Sequence, residues 1–381
     1  MMKKLILCCL LGTLVFSMVA GAVPAEAVEN EEYTVFTPYE YPIEPGTAEW
    51  ATLQTNVDKI NACRVPDELI EKMSTDALLE TYLTHPMATN IFAFNTYDDG
   101  FNTLKDGYYM GLDELLQRED LGDAILRSYN EIDVCTDKVP EGDAAVEEFL
   151  DVHEEEIDDM WRMSLLEVLA AEANVAAQNQ SPRSRSLESA MEEKYSEKME
   201  NIELYGPFAA TYYKTLDEKA NINSIGNGET LVYLHTPRGN PVESYHISYD
   251  FDAATNEAYR EEYAKCYPNA KLLRDATPKY NCHSYAWHST SADNSYWVYD
   301  VEAYMRDGSY VLSSDLKANE KIFYSRSPDT ENHSALVIKT NSATVRSKWG
   351  AAGLYEHNYG DCPYYVSYDL ITFWKRNPND I

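Results

Sequence analysis

The segment Pro278-Lys-Tyr-Asn-Cys-His-Ser-Tyr-Ala-Trp-His-Ser289 concentrates the residue types able to do covalent chemistry. Asn281 is a helix-capping residue type, so the spacing predicts a helix that opens at Cys282. Exposed amides and the macrodipole at such an opening stabilise negative charge, and a thiol there is expected to ionise more readily than a free cysteine. Tyr285 and Ala286, three and four residues on, would face the core and aim Cys282 into a cleft. The position suits a nucleophile; it equally suits half of a disulfide, and this segment alone does not choose between them.

A second segment, Glu331-Asn-His-Ser-Ala-Leu-Val-Ile-Lys339, opens an apolar strand with a histidine. His333 would be held rigidly at the strand end, where imidazole can accept a thiol proton and return it to a leaving amine. A third, Ala343-Thr-Val-Arg-Ser-Lys-Trp-Gly350, reads as the antiparallel neighbour of that strand, with Val345, Ser347 and Trp349 on one face. Ser347 is the candidate for orienting the imidazole, completing a nucleophile, base and orienter set, with Asn341, Glu356 and His357 as alternatives. Adjacent side chains on a helix diverge by about 100°, so His283 is poorly placed to act as base, and His288 faces elsewhere.

Taken in order, Asn-Cys-His-Ser-Tyr-Ala-Trp, His-Ser-Ala-Leu-Val-Ile and Ser-Lys-Trp-Gly resemble the CHAP and NlpC families of papain-like cysteine amidases and peptidases. The resemblance covers roughly residues 230–370. It implies a papain-like α+β fold with an antiparallel sheet, Cys282 as nucleophile and His333 as base. Ser347 stands where papain-like proteases carry an orienting asparagine in Asn-Ser-Trp-Gly. The Asp-Cys-Ser-Gly of typical NlpC domains is Asn-Cys-His-Ser here. By family habit the substrate would be a peptide or a peptidoglycan-type amide.

Other constellations carry less. Glu141–Asp159 holds ten acidic residues and no basic one, yet Val146, Phe149, Leu150, His153 and Ile157 trace an apolar stripe, so it reads as a helix with a solvated acidic face. The alternating oxygen ligands of a calcium loop are absent. His153-Glu154 begins the zinc-protease helix motif, but Ile157 stands where the second histidine is required. A zinc site from Cys282, His333 and Cys362 lacks short-spaced ligand pairs. No metal and no cofactor is expected.

The elements that must position these residues divide the chain in two. Residues 48–177 read as an all-α irregular bundle, with helices at 48–62, 66–72, 74–84 (Ser74 as cap), 87–95, 100–117, 119–130 and 143–177. Residues 178–225 read as a polar linker with a connecting helix at 187–204. Of 30 tyrosines, 21 lie in residues 205–381, as do four of six tryptophans, marking residues 226–381 as the strand-bearing domain. There a hairpin is expected at 230–235 and 242–249, a helix at 253–265, a short helix after Asp300, and strands at 270–274, 309–313, 320–325, 333–340, 342–349 and 363–368. Helices first and antiparallel strands after is an α+β pattern.

Residues 1–27 have Lys3 and Lys4, an apolar run and Ala25 and Ala27 before a cleavage point, the pattern of a secretory signal. Residues 28–47 read as an acidic, proline-bearing extended leader. Five cysteines follow the signal; pairings Cys63–Cys135 and Cys266–Cys362 would each stay inside one domain and leave Cys282 free. At 381 residues and 44% hydrophobic content the chain can fill real cores, and a net charge of −33 argues against nucleic-acid and anionic-membrane partners. The expectation is a secreted two-domain cysteine amidase or peptidase, free of the membrane after signal cleavage. Its alternatives are a non-catalytic interaction protein of the same fold and an acyltransferase using the same dyad. The helical domain would be free to bind a protein partner.

Overall fold

The computed structural model describes residues 34–132, 143–177, 215, 228–314, 316–325, 333–366 and 371–380. The expected signal sequence, most of the linker and Cys135 lie outside the described residues. Among those described, no helix is long and apolar enough to cross a membrane.

Local side-chain chemistry starts the helices of the first half. Thr55 and Asp58 form a reciprocal capping box for α1 (Asn56–Ala62). A short α2 (Asp67–Ile70) follows, and Ser74 caps α3 (Thr75–Leu83), the expected cap. Thr96 caps α4 (Tyr97–Gly107). The single helix expected over 100–117 is split before α5 (Leu112–Gln117), because Tyr109 and Gly111 both adopt positive φ, which an α-helix does not tolerate. Next come α6 (Leu121–Asn130), α7 (Asp143–Val152) and α8 (Glu154–Ala177), the last two divided at His153. Residues 34–47 are not a free leader. Val35 bridges Met73, the Tyr39 amide and Tyr41 hydroxyl bond Thr81 on α3, and Tyr39, Tyr41 and Ile43 pack on the core.

Antiparallel sheets follow. The hairpin β1 (Glu229–His235) and β2 (Pro241–Ile247) forms as expected and is joined by β4 (Tyr296–Val298) into a three-stranded sheet. The second sheet has the order β3-β9-β8-β7-β6-β10-β5, built from β3 (Lys271–Arg274), β5 (Tyr310–Leu312), β6 (Lys321–Tyr324), β7 (His333–Lys339), β8 (Thr344–Lys348), β9 (Leu354–Asn358) and β10 (Ile371–Arg376). Helix α9 (Ala253–Cys266), capped by Asp252, and the short α10 (Ala303–Arg306) lie between strands in sequence. β7 and β8 are neighbours, as the sequence predicts. The strand expected at 363–368 is not formed over 363–366, where Tyr364 and Tyr365 are buried in a turn. Strands β4, β9 and β10 were not anticipated.

The helical half and the sheet share one apolar core, which runs from Trp50 through Leu166 to Trp349 and Tyr365, and Thr34–Ile381 form one compact unit. Polar groups cross the same junction. Asn56 Nδ2 donates to the Tyr108 hydroxyl at 3.0 Å and to the Tyr365 carbonyl at 3.2 Å, while its Oδ1 accepts from the Tyr267 hydroxyl at 2.8 Å. Lys59 forms a buried ion pair with Asp361, its ammonium 4.4 Å from the Tyr267 ring centroid. At Gly350, φ +52°, an added Cβ would fall 2.4 Å from the Ala93 carbonyl oxygen, so only glycine permits this approach of sheet to helices.

Cys63, Cys266, Cys282 and Cys362 are all free thiols. The Cys266–Cys362 pairing is therefore overturned: Cys266 Sγ donates to the Pro86 carbonyl at 3.3 Å and Cys362 Sγ to the Tyr359 carbonyl at 3.6 Å. Cys63, the expected partner of Cys135, is likewise free.

Breaking a buried ion pair strands one charge, at a cost of about 3–5 kcal/mol, whereas replacing both partners by apolar groups is often neutral. Lys59→Met should lower unfolding free energy in urea by about that amount, and Lys59→Met/Asp361→Leu should recover most of it. A double variant no better than the single one would contradict this account.

Candidate functional site around Cys282

Asn281 does what its residue type predicts, and more. Its Oδ1 accepts from the Ser284 amide at 3.0 Å and the Val298 amide at 3.2 Å, and its Nδ2 donates to the Val298 carbonyl at 2.8 Å. One carboxamide thus starts the helical turn and ties it to β4. Cys282 and His283 open that turn, which continues as a π-helical turn over Ser284–His288. Tyr285 and Ala286 are buried, as expected.

The Cys282 thiol is 1% exposed. Both polar atoms of the Asn95 carboxamide lie 3.7 Å from its Sγ, and the backbone amides of Ser334 and His283 are near enough to favour its thiolate. Burial dominates and pushes the thiol up to about 11; the Ser334 amide, Asn95, the His283 amide and the Lys348 ammonium pull it back only in part. The expectation of a readily ionised thiol is thus reversed by desolvation. Lys348 is itself buried, its Nζ donating to the carbonyls of Thr277 at 2.9 Å, Gly350 at 2.8 Å and Ala352.

His333 opens β7, paired with Tyr324 of β6, and is fully buried. Its ring stacks on Tyr364 with centroids 3.5 Å apart and planes 6° from parallel, and the Tyr364 hydroxyl donates to the Ala93 carbonyl. Neither ring nitrogen of His333 has a hydrogen-bond partner among the described residues. Sequence reasoning therefore identified two residues on adjoining elements, with the backbone of Ser334, the residue after His333, near enough to favour negative charge on Cys282. The thiol and imidazole are not hydrogen-bonded to each other. Burial first, then the nearby His283 and His357, holds the imidazole well below its ordinary range.

Ser347 is placed elsewhere. His357 Nδ1–H donates to the Asn358 carbonyl at 2.7 Å, which leaves Nε2 to accept from the Ser347 hydroxyl at 2.8 Å; Trp349 Nε1 donates to the same hydroxyl at 3.1 Å. Ser347 thus orients His357 and makes no bond to His333. Of the alternatives, Glu356 pairs with Arg346 at 2.7 Å and Asn341 is exposed. A parallel network fixes His283: Trp287 Nε1 donates to Ser334 Oγ at 2.8 Å, and that hydroxyl bonds His283 Nδ1 at 2.8 Å.

Asn95 and Tyr364 were missed. Asn95 sits in the helical half with no motif around it, and Tyr364 lay inside an expected strand. The chemistry of the arrangement is that of a neutral thiol beside the Asn95 carboxamide, with a neutral imidazole on the strand against which its turn packs and nearby backbone amides that favour negative charge on sulfur. Among the described residues no group of three or more His, Cys, Asp or Glu side chains is placed to hold a metal ion. Comparison of the chain with family models, curated proteins and solved structures gives no match.

Burial keeps several histidines neutral: His85 and His283 are each lowered to about 3, His357 to about 4, and His333 well below its ordinary value. Depressed basic groups bind protons in the unfolded chain but not in the folded one, so stability is present above the unfolded value near 6.5 and lost as pH falls from there toward 4. Glu262 and Asp361, raised chiefly by burial, act in the opposite direction above the ordinary carboxyl range, where the folded state holds protons that the unfolded chain has lost. Urea midpoints should fall steeply between pH 6.5 and 5, by about 1.4 kcal/mol per pH unit for each fully titrating histidine. A flat profile over that window would show the imidazoles to be solvated.

Proposed function

We propose that the protein is an exported cysteine hydrolase that cleaves amide bonds in peptide or cell-wall peptide substrates, through a thioester on Cys282 with His333 as base. The observation that carries this reading is the convergence of the Ser334 and His283 amides and the Asn95 carboxamide on one free thiol. The resemblance of the three motif segments to CHAP and NlpC domains, noted in the sequence, agrees with it.

Because both groups are held neutral, the proton moves during attack rather than before it. Sγ bonds to the substrate carbonyl carbon as His333 takes the thiol proton, and the carbonyl electron pair becomes an oxyanion facing the converging donors. The imidazolium then gives its proton to the leaving amine as the carbon–nitrogen bond breaks. Water, deprotonated by His333, releases the acid and restores the thiol. The thiol–imidazole contact forms in the substrate complex, as catalytic hydrogen bonds often tighten only there. Tyr364 supplies the orienting surface that Ser347 does not. An amine in place of water would make the same thioester an acyl donor, and the products formed with and without added amine separate the two.

A second reading rests on the burial of Cys282 and the unpartnered His333: a secreted interaction protein that keeps the site as packing. Zymography on purified cell walls and assay of peptide amides decide between them. Cys282→Ser should abolish turnover, His333→Ala should lower kcat by about 10²–10⁴-fold, and Asn95→Ala by about 10²–10³-fold with little change in KM. Tyr364→Phe should retain activity that Tyr364→Leu loses. Hydrolysis that survives Cys282→Ser would refute the proposal, and absence of turnover together with iodoacetamide labelling of Cys282 that ignores His333→Ala would favour the second reading.

A further inference from the structure

Lys348 ends β8 and is fully buried. Its Nζ donates to three backbone carbonyls, those of Thr277 at 2.9 Å, Gly350 at 2.8 Å and Ala352, and lies 5.2 Å from the Tyr280 ring centroid. Three acceptors around one nitrogen call for three N–H donors, which an ammonium has and a neutral amine has not. The three carbonyls belong to two segments. Thr277 lies, with Tyr280, in the chain that leads into Cys282, and its amide donates to the Ala351 carbonyl at 2.9 Å. Gly350 and Ala352 lie in the turn that follows β8, closed by the Trp349 amide on the Gly353 carbonyl at 3.0 Å. That turn abuts the Ala93 and Phe94 carbonyls at Gly350, immediately before Asn95. One side chain thus joins the segment that carries the thiol to the turn beside which the carboxamide is seated, and thiol and carboxamide meet at 3.7 Å.

We propose that Lys348 is a positioning residue for Cys282: as an ammonium it fastens the two segments between which the thiol lies and supplies the fixed positive charge that favours negative charge on sulfur. Burial opposes the lysine charge, and a negative charge on Cys282 or Asp250 favours it; Asp250 is itself engaged by Lys279 at 2.6 Å. The same attraction acts on the thiol, lowering it from the value that burial alone would set. The other titratable groups around sulfur carry no charge near neutral pH. Burial lowers His283 to about 3, His333 stands well below its ordinary value, and Tyr364 is held well above its own. Backbone amides and the Asn95 carboxamide act on sulfur by direction, whereas a whole charge in a dry, weakly screened site acts without needing contact. The use of that charge in turnover rests on the hydrolase reading. The charge and its pull on the thiol are measured without turnover, so the two ideas fail separately.

NMR of the intact chain labelled with ¹³C at lysine Cε and cysteine Cβ tests this. The Lys348 Cε signal, identified by its absence in Lys348→Met, should report a charged amine at pH 7.5. The Cys282 Cβ signal, identified by its absence in Cys282→Ser, reports the thiolate fraction. At pH 10 that fraction should fall about tenfold in Lys348→Met and stay close to the unaltered value in Lys348→Arg, which keeps the charge. A role in packing alone would leave the thiolate fraction of folded Lys348→Met unchanged, and that result overturns the proposal. Where Lys348→Met does not fold, with Lys348 assigned instead from Lys348→Arg, the charge of Lys348 in the unaltered chain decides: a neutral amine at pH 7.5 overturns the proposal, and a charged one upholds it.

Discussion

The close approach of the helical half to the long sheet is the constraint on which the remaining geometry depends. It is held by a buried polar junction rather than by apolar contact alone. Asn56 uses its donor and acceptor atoms on Tyr108, Tyr365 and Tyr267, Asn90 donates to the same Tyr108 and Tyr267 hydroxyls, and Lys59 meets Asp361 without solvent. Such groups are expensive to leave unpaired, so the junction permits one register of helices on sheet and penalises others. Burial keeps the Asp361 carboxyl above its ordinary range despite the ammonium beside it, so desolvation offsets much of the attraction within the pair.

That register sets the surroundings of Cys282. The chain between the 3₁₀ segment Ala88–Ala93 and α4 carries Asn95, and it lies against the sheet only because Gly350 presents no side chain to the Ala93 and Phe94 carbonyls. Tyr364 joins the same place from the sheet side, its hydroxyl on the Ala93 carbonyl and its ring on His333. A thiol from one turn and a carboxamide from the helical half therefore meet beside the strand that His333 opens. The helical half, which the motifs leave without a role, contributes directly to the environment of the thiol.

What the sequence made legible follows from how local each determinant is. The Ser74 cap, the hairpin at β1 and β2 and the strand opening at His333 are written in a few adjacent residues, and each forms where expected. The break between α4 and α5 depends on Tyr109 taking a positive φ, which a tyrosine side chain does not advertise. β9 and β10 carry polar and aromatic residues together, such as Glu356, His357, Trp374 and Lys375, so their strand character rests on neighbours in the sheet rather than on their own alternation. Ser347 was placed on the correct buried face, yet its partner is His357 two strands' length of chain away, since hydroxyl orientation is decided by whichever acceptor the register brings opposite. Asn95 illustrates the hardest case: a contact across the whole helical half leaves no trace in spacing.

The electrostatics of the site show why position in the sequence and position in the fold give opposite expectations for the thiol. A helix start and nearby donors stabilise thiolate by local, directional contacts, whereas loss of water acts on the entire charge. Pushed up to about 11, the thiol is neutral near neutral pH, and the imidazole that would take its proton is neutral for the same reason. Two neutral partners in a dry site form no resting ion pair. The donors around sulfur then matter less for the resting thiol than for the negative charge that appears when a bond to sulfur forms, because preorganised amides need no rearrangement at that moment. Burial that silences the free site is, on this argument, also what would make its few donors strong once a substrate carbonyl replaces the missing water.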